Sequence, residues 1–187
     1  MRSYYDIIKK PKVLYHASSK RDLQKIEVRA ESIRSPEEGP VVFGTPDKAY
    51  ASCFLLQGTN DSWLIVSQWS NNPDKPGPWN FICSDRERFE DNDHGGTIYL
   101  ISPEGFTTDP KKGAGIVEWV SRNDVYPIGK LDYDSAFEAM IDNGVQVIFT
   151  DIETLKRMRD SDDQGYSIAK ELESENKKLG KNYIPIP

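Results

Sequence analysis

Cysteine and histidine are scarce in this chain, which has two of each in 187 residues. Cys53 and Cys83 lie in apolar contexts without a C-x-x-C, so two buried, reduced thiols are expected and neither a disulfide nor a thiolate metal site is called for. With so few of these side chains there is no clustered His/Cys set, and no metal is expected. Long apolar runs are also missing: nothing approaches the roughly 18 residues of a membrane span. The segment after Met1, RSYYDIIKKPK, has no apolar h-region, so a cytoplasmic protein without a secretory signal is expected. Positive charge is in deficit, with 24 Lys and Arg against 30 Asp and Glu and a net charge of −6. That balance speaks against a strong preference for the nucleic-acid backbone, while leaving room for a local basic patch such as Lys9, Lys10 and Lys12. What is present, 37% hydrophobic and 29% charged residues, fits one globular domain with a real core.

The most informative stretch is Val41 to Leu56, VVFGTPDKAYASCFLL. Val41 to Phe43 reads as a short strand closed by Gly44. Thr45 offers a hydroxyl to the free N–H groups of a helix start, Pro46 suits its first position and Asp47 its positive end, which predicts a helix over 46–56. Ala49, Cys53 and Leu56 recur at i, i+4, i+7 beside a Tyr50/Phe54 pair, so that side of the helix should face a core.

Upstream, Val13 to His16 reads as a strand that ends at His16 and leaves through the small residues Ala17, Ser18 and Ser19. Residues 23–40 are charged and aperiodic, hence a loop, and Gly58 to Asp61 is a turn. Further strands are expected at Ser62–Ser70, Trp79–Cys83, Thr97–Ser102, Ile116–Ser121 and Val125–Gly129, with loops at 71–78 and 103–115 and a charged excursion over 84–96. His94, in EDNDHGG, belongs to an exposed turn. Glu118 is the single acid within its strand; burial without a partner would be costly, so it either faces solvent or has a task. Beyond Gly129, helices are expected from Asp134-Ser135 to Asn143, over Ile152–Arg159 and over Gln164–Leu179, with a strand at Val145–Thr150 and an extended end at 183–187.

Three of these segments resemble the ADP-ribosyltransferase superfamily, in its poly(ADP-ribose) polymerase-like H-Y-E type. Y-H-A-S-S resembles the strand end H-[GA]-[ST], F-G-T-P-D-K-A-Y-A-S the strand and turn leading into a helix with a nicotinamide-stacking tyrosine, and E-W-V-S-R-N-D-V-Y-P-I the strand entered by the catalytic glutamate. The resemblance covers roughly residues 13 to 130 and departs from the usual pattern at Ala17, where glycine is common. It implies an α+β fold of two packed, short-stranded, mostly antiparallel sheets with flanking helices. Residues 1–130 would form the core, and 131–187 a helical C-terminal extension packed on the same domain.

The function implied is NAD-dependent ADP-ribosyl transfer, or NAD hydrolysis, with NAD as substrate and without a metal. Glu118 would be catalytic and His16, Ala17, Ser18 and Tyr50 would bind NAD. Cleavage at the ribose C1′ passes through an oxocarbenium-like transition state, which a carboxylate near the 2′-OH stabilises. The acceptor is left open among protein, nucleic acid, small molecule and water. Three other readings stand beside this one: the RNA 2′-phosphotransferase branch, disfavoured by the acidic balance, a non-catalytic binding module of the same fold, and an unrelated α+β domain.

Overall fold

The computed structural model describes residues 10–30, 32–33, 36, 39–56, 62–69, 77–109 and 117–178, the last six as backbone. Lys9, the turn at 58–61, the ends of the 62–70 and 116–121 strands, parts of the loops at 71–78 and 103–115, Leu179 and the tail at 183–187 lie outside the described residues.

The fold is α+β, with three small sheets and five helices among the described residues. The first sheet has the order β1 (Leu14–Ser18), β5 (Gly96–Ile101), β7 (Pro127–Tyr133), all antiparallel. The second pairs β2 (Val42–Gly44) with β6 (Trp119–Ser121), again antiparallel. In the third, β4 (Trp79–Cys83) lies between antiparallel β3 (Leu64–Gln68) and parallel β8 (Gln146–Phe149). Three sheets thus replace the two expected from the sequence. A reciprocal pair of backbone bonds, Tyr15 N–H to Thr45 O at 2.7 Å and Thr45 N–H to Tyr15 O at 3.0 Å, stitches the first sheet to the second.

Burial explains the strand order. All five residues of β4, WNFIC, are buried, as a central strand covered on both faces must be. The largest core cluster spans α1 (Lys48–Ser52), β4 and α3 (Ala136–Asp142) and holds Tyr50, Leu55, Phe81 and Met140. A second cluster, with Leu14, Ile26, Val42, Tyr99 and Trp119, lies under the 23–28 loop. Tyr99 is 1% exposed, and its hydroxyl donates to Lys20 O at 2.9 Å and accepts from Leu23 N–H at 2.8 Å, so one side chain fixes that loop's entry. A third cluster joins Trp69 and Ile82 to Leu155 of α4 (Ile152–Asp160) and Ala169 of α5 (Tyr166–Lys178).

Several expectations are revised. α1 is five residues long instead of spanning 46–56, and its N-cap is Asp47; the Thr45 hydroxyl accepts from Asp47 N–H at 3.1 Å one turn earlier. The excursion at 84–96 contains α2 (Arg86–Asn92), capped by Asp85 and anchored by buried Phe89. β6 begins only at Trp119, which leaves Glu118 just ahead of the strand. Residues after 130 are built into the sheets, since β7 runs to Tyr133 and β8 pairs with β4. No helix among the described residues is long and apolar enough to cross a membrane.

Candidate functional site

Asp47 organises the first half of the site. Its Oδ1 accepts from Ala49 N–H at 2.9 Å and Tyr50 N–H at 3.2 Å, satisfying two orphan donors of α1. Its Oδ2 accepts from the Trp79 indole N–H at 2.7 Å. The indole is therefore held over Tyr50, with ring centroids 4.4 Å apart and tilted by 37°. Phe54 meets the same phenol edge-on at 4.9 Å.

Glu118 reaches this assembly from a chain segment 68 residues away: Tyr50 OH donates to its Oε1 at 2.9 Å. The glutamate's position is set by its backbone. Thr107 and Val120 exchange hydrogen bonds at 3.0 and 2.8 Å, and the Thr108 hydroxyl donates to Glu118 O at 2.7 Å. Burial, then the negative charge and hydrogen bond of Glu118, push the Tyr50 phenol well above its ordinary value, so it remains a protonated donor.

His16 takes a different place. Its Nδ1–H donates to Phe43 O at 2.8 Å, which fixes the tautomer and makes Nε2 of the neutral ring an acceptor. Burial pushes its pKa below 6.5, the nearby Arg29 charge adds to this, and the Phe43 bond opposes it. Alternation along β1 sets Leu14, His16 and Ser18 on one face and Tyr15 and Ala17 on the other. Tyr15 and Ala17 pack against the cluster that contains Tyr50, whereas Leu14 belongs to the second cluster. Tyr50 and Glu118 are thus brought together, and the His16 imidazole stands across the sheet from them. His16 and Ser18 line a cavity of about 70 Å³, together with Arg29, Ser32 and Phe43.

Ala17 contributes through its backbone. In an antiparallel strand, the N–H and C=O of alternate residues point to the same edge. Because Tyr15 bonds Thr45 of the neighbouring segment, Ala17 turns its own N–H and C=O to that same edge, at the level of Phe43 in the antiparallel register. His94 is exposed, as its turn-like surroundings suggested. Cys53 and Cys83 are buried free thiols, pushed up by burial to about 11 in the case of Cys83. Among the described residues no group of three His, Cys, Asp or Glu side chains could hold a metal.

Sequence reasoning missed Trp79 and Thr108 as parts of the site. Trp79 was legible only as a strand aromatic, and Thr108 as one polar residue in a loop. Comparison with protein-family models, with curated proteins and with solved structures finds no match.

Proposed function

We propose that this protein uses NAD as a substrate, transferring ADP-ribose to an acceptor or to water, with Glu118 as the catalytic carboxylate. The observation that carries this reading is the Tyr50–Glu118 contact at 2.9 Å, a stackable phenol and a carboxylate joined across 68 residues. Such a pair can hold a nicotinamide ring beside an anion that stabilises positive charge developing on the ribose. The Ala17 backbone edge supplies a donor and an acceptor of the kind a carboxamide needs, on the face where Tyr50 lies. Tyr50 is 8% exposed, so a stacked ring needs a neighbour to give way; Phe54, 38% exposed, has room to move. Trp79, tied to Asp47, does not. The His16 imidazole is left out of this constellation, and the ribose contact falls to Glu118 and the Ala17–Ser18 segment.

A second reading, a non-catalytic ADP-ribosyltransferase-like binding module, is favoured by one observation. The Tyr50 ring is closed in by Trp79 and Phe54, the arrangement of a packing residue. Calorimetry with NAD, followed by chromatography for released nicotinamide, separates the two. Binding with nicotinamide release that Glu118→Gln abolishes supports the enzyme; binding without release supports the module; no binding at millimolar NAD removes both.

A further inference from the structure

The cavity beside His16 lies on the opposite face of the sheet from Tyr50 and Glu118, and its chemistry is its own. At about 70 Å³ it has room for a few waters or one tetrahedral ion, far short of the roughly 300 Å³ at which pockets for larger ligands begin. Its lining combines apolar walls, Val41 and Val42 among them, with Arg29, His16, Ser18, Ser32 and one carboxylate, Glu27.

Arg29 is the informative member. It is half-buried, and among the described residues it has neither an ion pair nor a side-chain hydrogen bond, which is a costly state for a guanidinium. The neighbouring acid does not neutralise it. Glu27 accepts from Lys25 Nζ at 3.0 Å, and the same ammonium bonds Asp124 at 3.0 Å. The segment carrying Arg29 is also fixed in place. Ile26 and Val125 exchange backbone bonds at 2.8 and 2.9 Å, and Asp124 accepts from Val28 N–H at 2.9 Å. Among the described residues, a fixed loop thus holds a guanidinium without an ion pair at a small, partly apolar cavity whose lining carboxylate, Glu27, is engaged by Lys25, which favours an anion of matching size.

Hydrogen bonding narrows the choice. The Ser18 hydroxyl already accepts from Lys20 N–H at 3.1 Å, so its own hydrogen remains to be donated, and Ser32 lends another hydroxyl. His16 donates through Nδ1 to Phe43, which makes Nε2 of the neutral ring an acceptor. A fully deprotonated oxyanion offers that nitrogen nothing; one that retains an O–H does. We propose that this cavity binds hydrogen phosphate, a small tetrahedral oxyanion that keeps an O–H at neutral pH, with Arg29 as the charge partner and His16 Nε2 accepting from the hydroxyl. The site shares Ser18 with the NAD reading but neither Tyr50 nor Glu118, so it does not rest on that reading.

Calorimetry on the full chain at low ionic strength tests this, with inorganic phosphate, ribose 5-phosphate and sulfate as separate probes at pH near 7.5. Saturable phosphate binding is expected, weakened about tenfold or more in Arg29→Gln and less in Arg29→Lys, because one charge-assisted contact is of that size. Sulfate, which has no hydroxyl, should bind more weakly than phosphate. Ribose 5-phosphate, a dianionic monoester without an O–H on phosphorus at this pH, should likewise bind more weakly than inorganic phosphate, and tighter binding overturns the part assigned to His16. Glu118→Gln should leave phosphate binding unchanged, whatever it does to NAD. Absence of saturable binding to the wild-type chain overturns the proposal, as does equal binding by wild type and either Arg29 variant. Equal affinity for sulfate and phosphate overturns the part assigned to His16. Should Arg29→Gln fail to fold, Arg29→Lys and the sulfate comparison still decide.

Discussion

Tyr50 and Glu118 illustrate how two residues with bland individual readings acquire meaning from geometry. A tyrosine on a short helix is usually a core residue, and a lone acid near a strand usually faces water; a 2.9 Å hydrogen bond between them makes each the other's environment. If Glu118 acts on a developing oxocarbenium, Glu118→Gln keeps the acceptor for Tyr50 but removes the charge. Nicotinamide release should then fall by about 10²–10³ while NAD affinity stays within a few-fold. Equal losses in affinity and turnover would instead point to a structural role. The Tyr50 phenol carries a second expectation. Its folded-state pKa lies above the ordinary value of 10, so the fold keeps that proton when the unfolded chain would release it. Its contribution to stability is present below pH 10 and is lost as pH rises above it. Tyr50→Phe should therefore reduce the steepness of alkaline unfolding, read from denaturation midpoints across that range. For His16 the sign reverses. A pKa held below 6.5 gives a contribution present above that pH and lost as pH falls, and an imidazole NMR titration should place its midpoint below 6.5.

At the scale of elements, Asp47 shows why a five-residue helix persists in a position it could not hold alone. Isolated helices of that length are unstable, and propensity contributes little. One carboxylate caps two α1 amides and holds the Trp79 indole that covers Tyr50, so local structure and the tertiary site share a residue. Asp47→Ala should cost about 1–3 kcal/mol in urea denaturation, the sum of a lost cap and a lost indole bond. It should also weaken NAD binding by freeing Trp79, whereas Asp47→Asn should retain much of the cap. The sequence made the strand and turn before α1 legible through V-V-F-G-T-P-D, because β-branched residues and capping residues act locally. It could not show that the helix ends by Cys53, since Leu55 and Leu56 are buried outside any helix and apolar spacing alone does not report that. α2 was illegible for the opposite reason: only Phe89 is buried, so the amphipathic signal rests on one residue amid charges.

Over the whole molecule, long-range contacts decide what the sequence order hides. The three chemically suggestive segments were readable one by one, yet which face of β1 each side chain occupies depends on pairing with β2 and β5, and that register appears nowhere in the local pattern. The C-terminal third is a similar case. Asp93, at the end of α2, accepts from Ser135 Oγ at 2.6 Å and Phe137 N–H at 3.2 Å, as well as from Ala136 N–H, and so caps α3 from more than forty residues away. α3 contributes Ala136, Ala139 and Met140, all 0% exposed, to the cluster that holds Tyr50, and β8 completes the sheet around β4. Removing the chain after Tyr133 would therefore uncover β4 along one edge and strip one side of the core. The shortened protein should show no cooperative thermal transition, while the full chain should unfold in a single transition seen alike by far-ultraviolet circular dichroism and tryptophan fluorescence. Asp93→Ala, a far smaller change, should lower that transition by several degrees through the loss of a half-buried cap. A shortened chain that melts cooperatively and still binds NAD would show that residues 1–133 fold alone, and the C-terminal elements would then be an accessory to the site instead of part of its support.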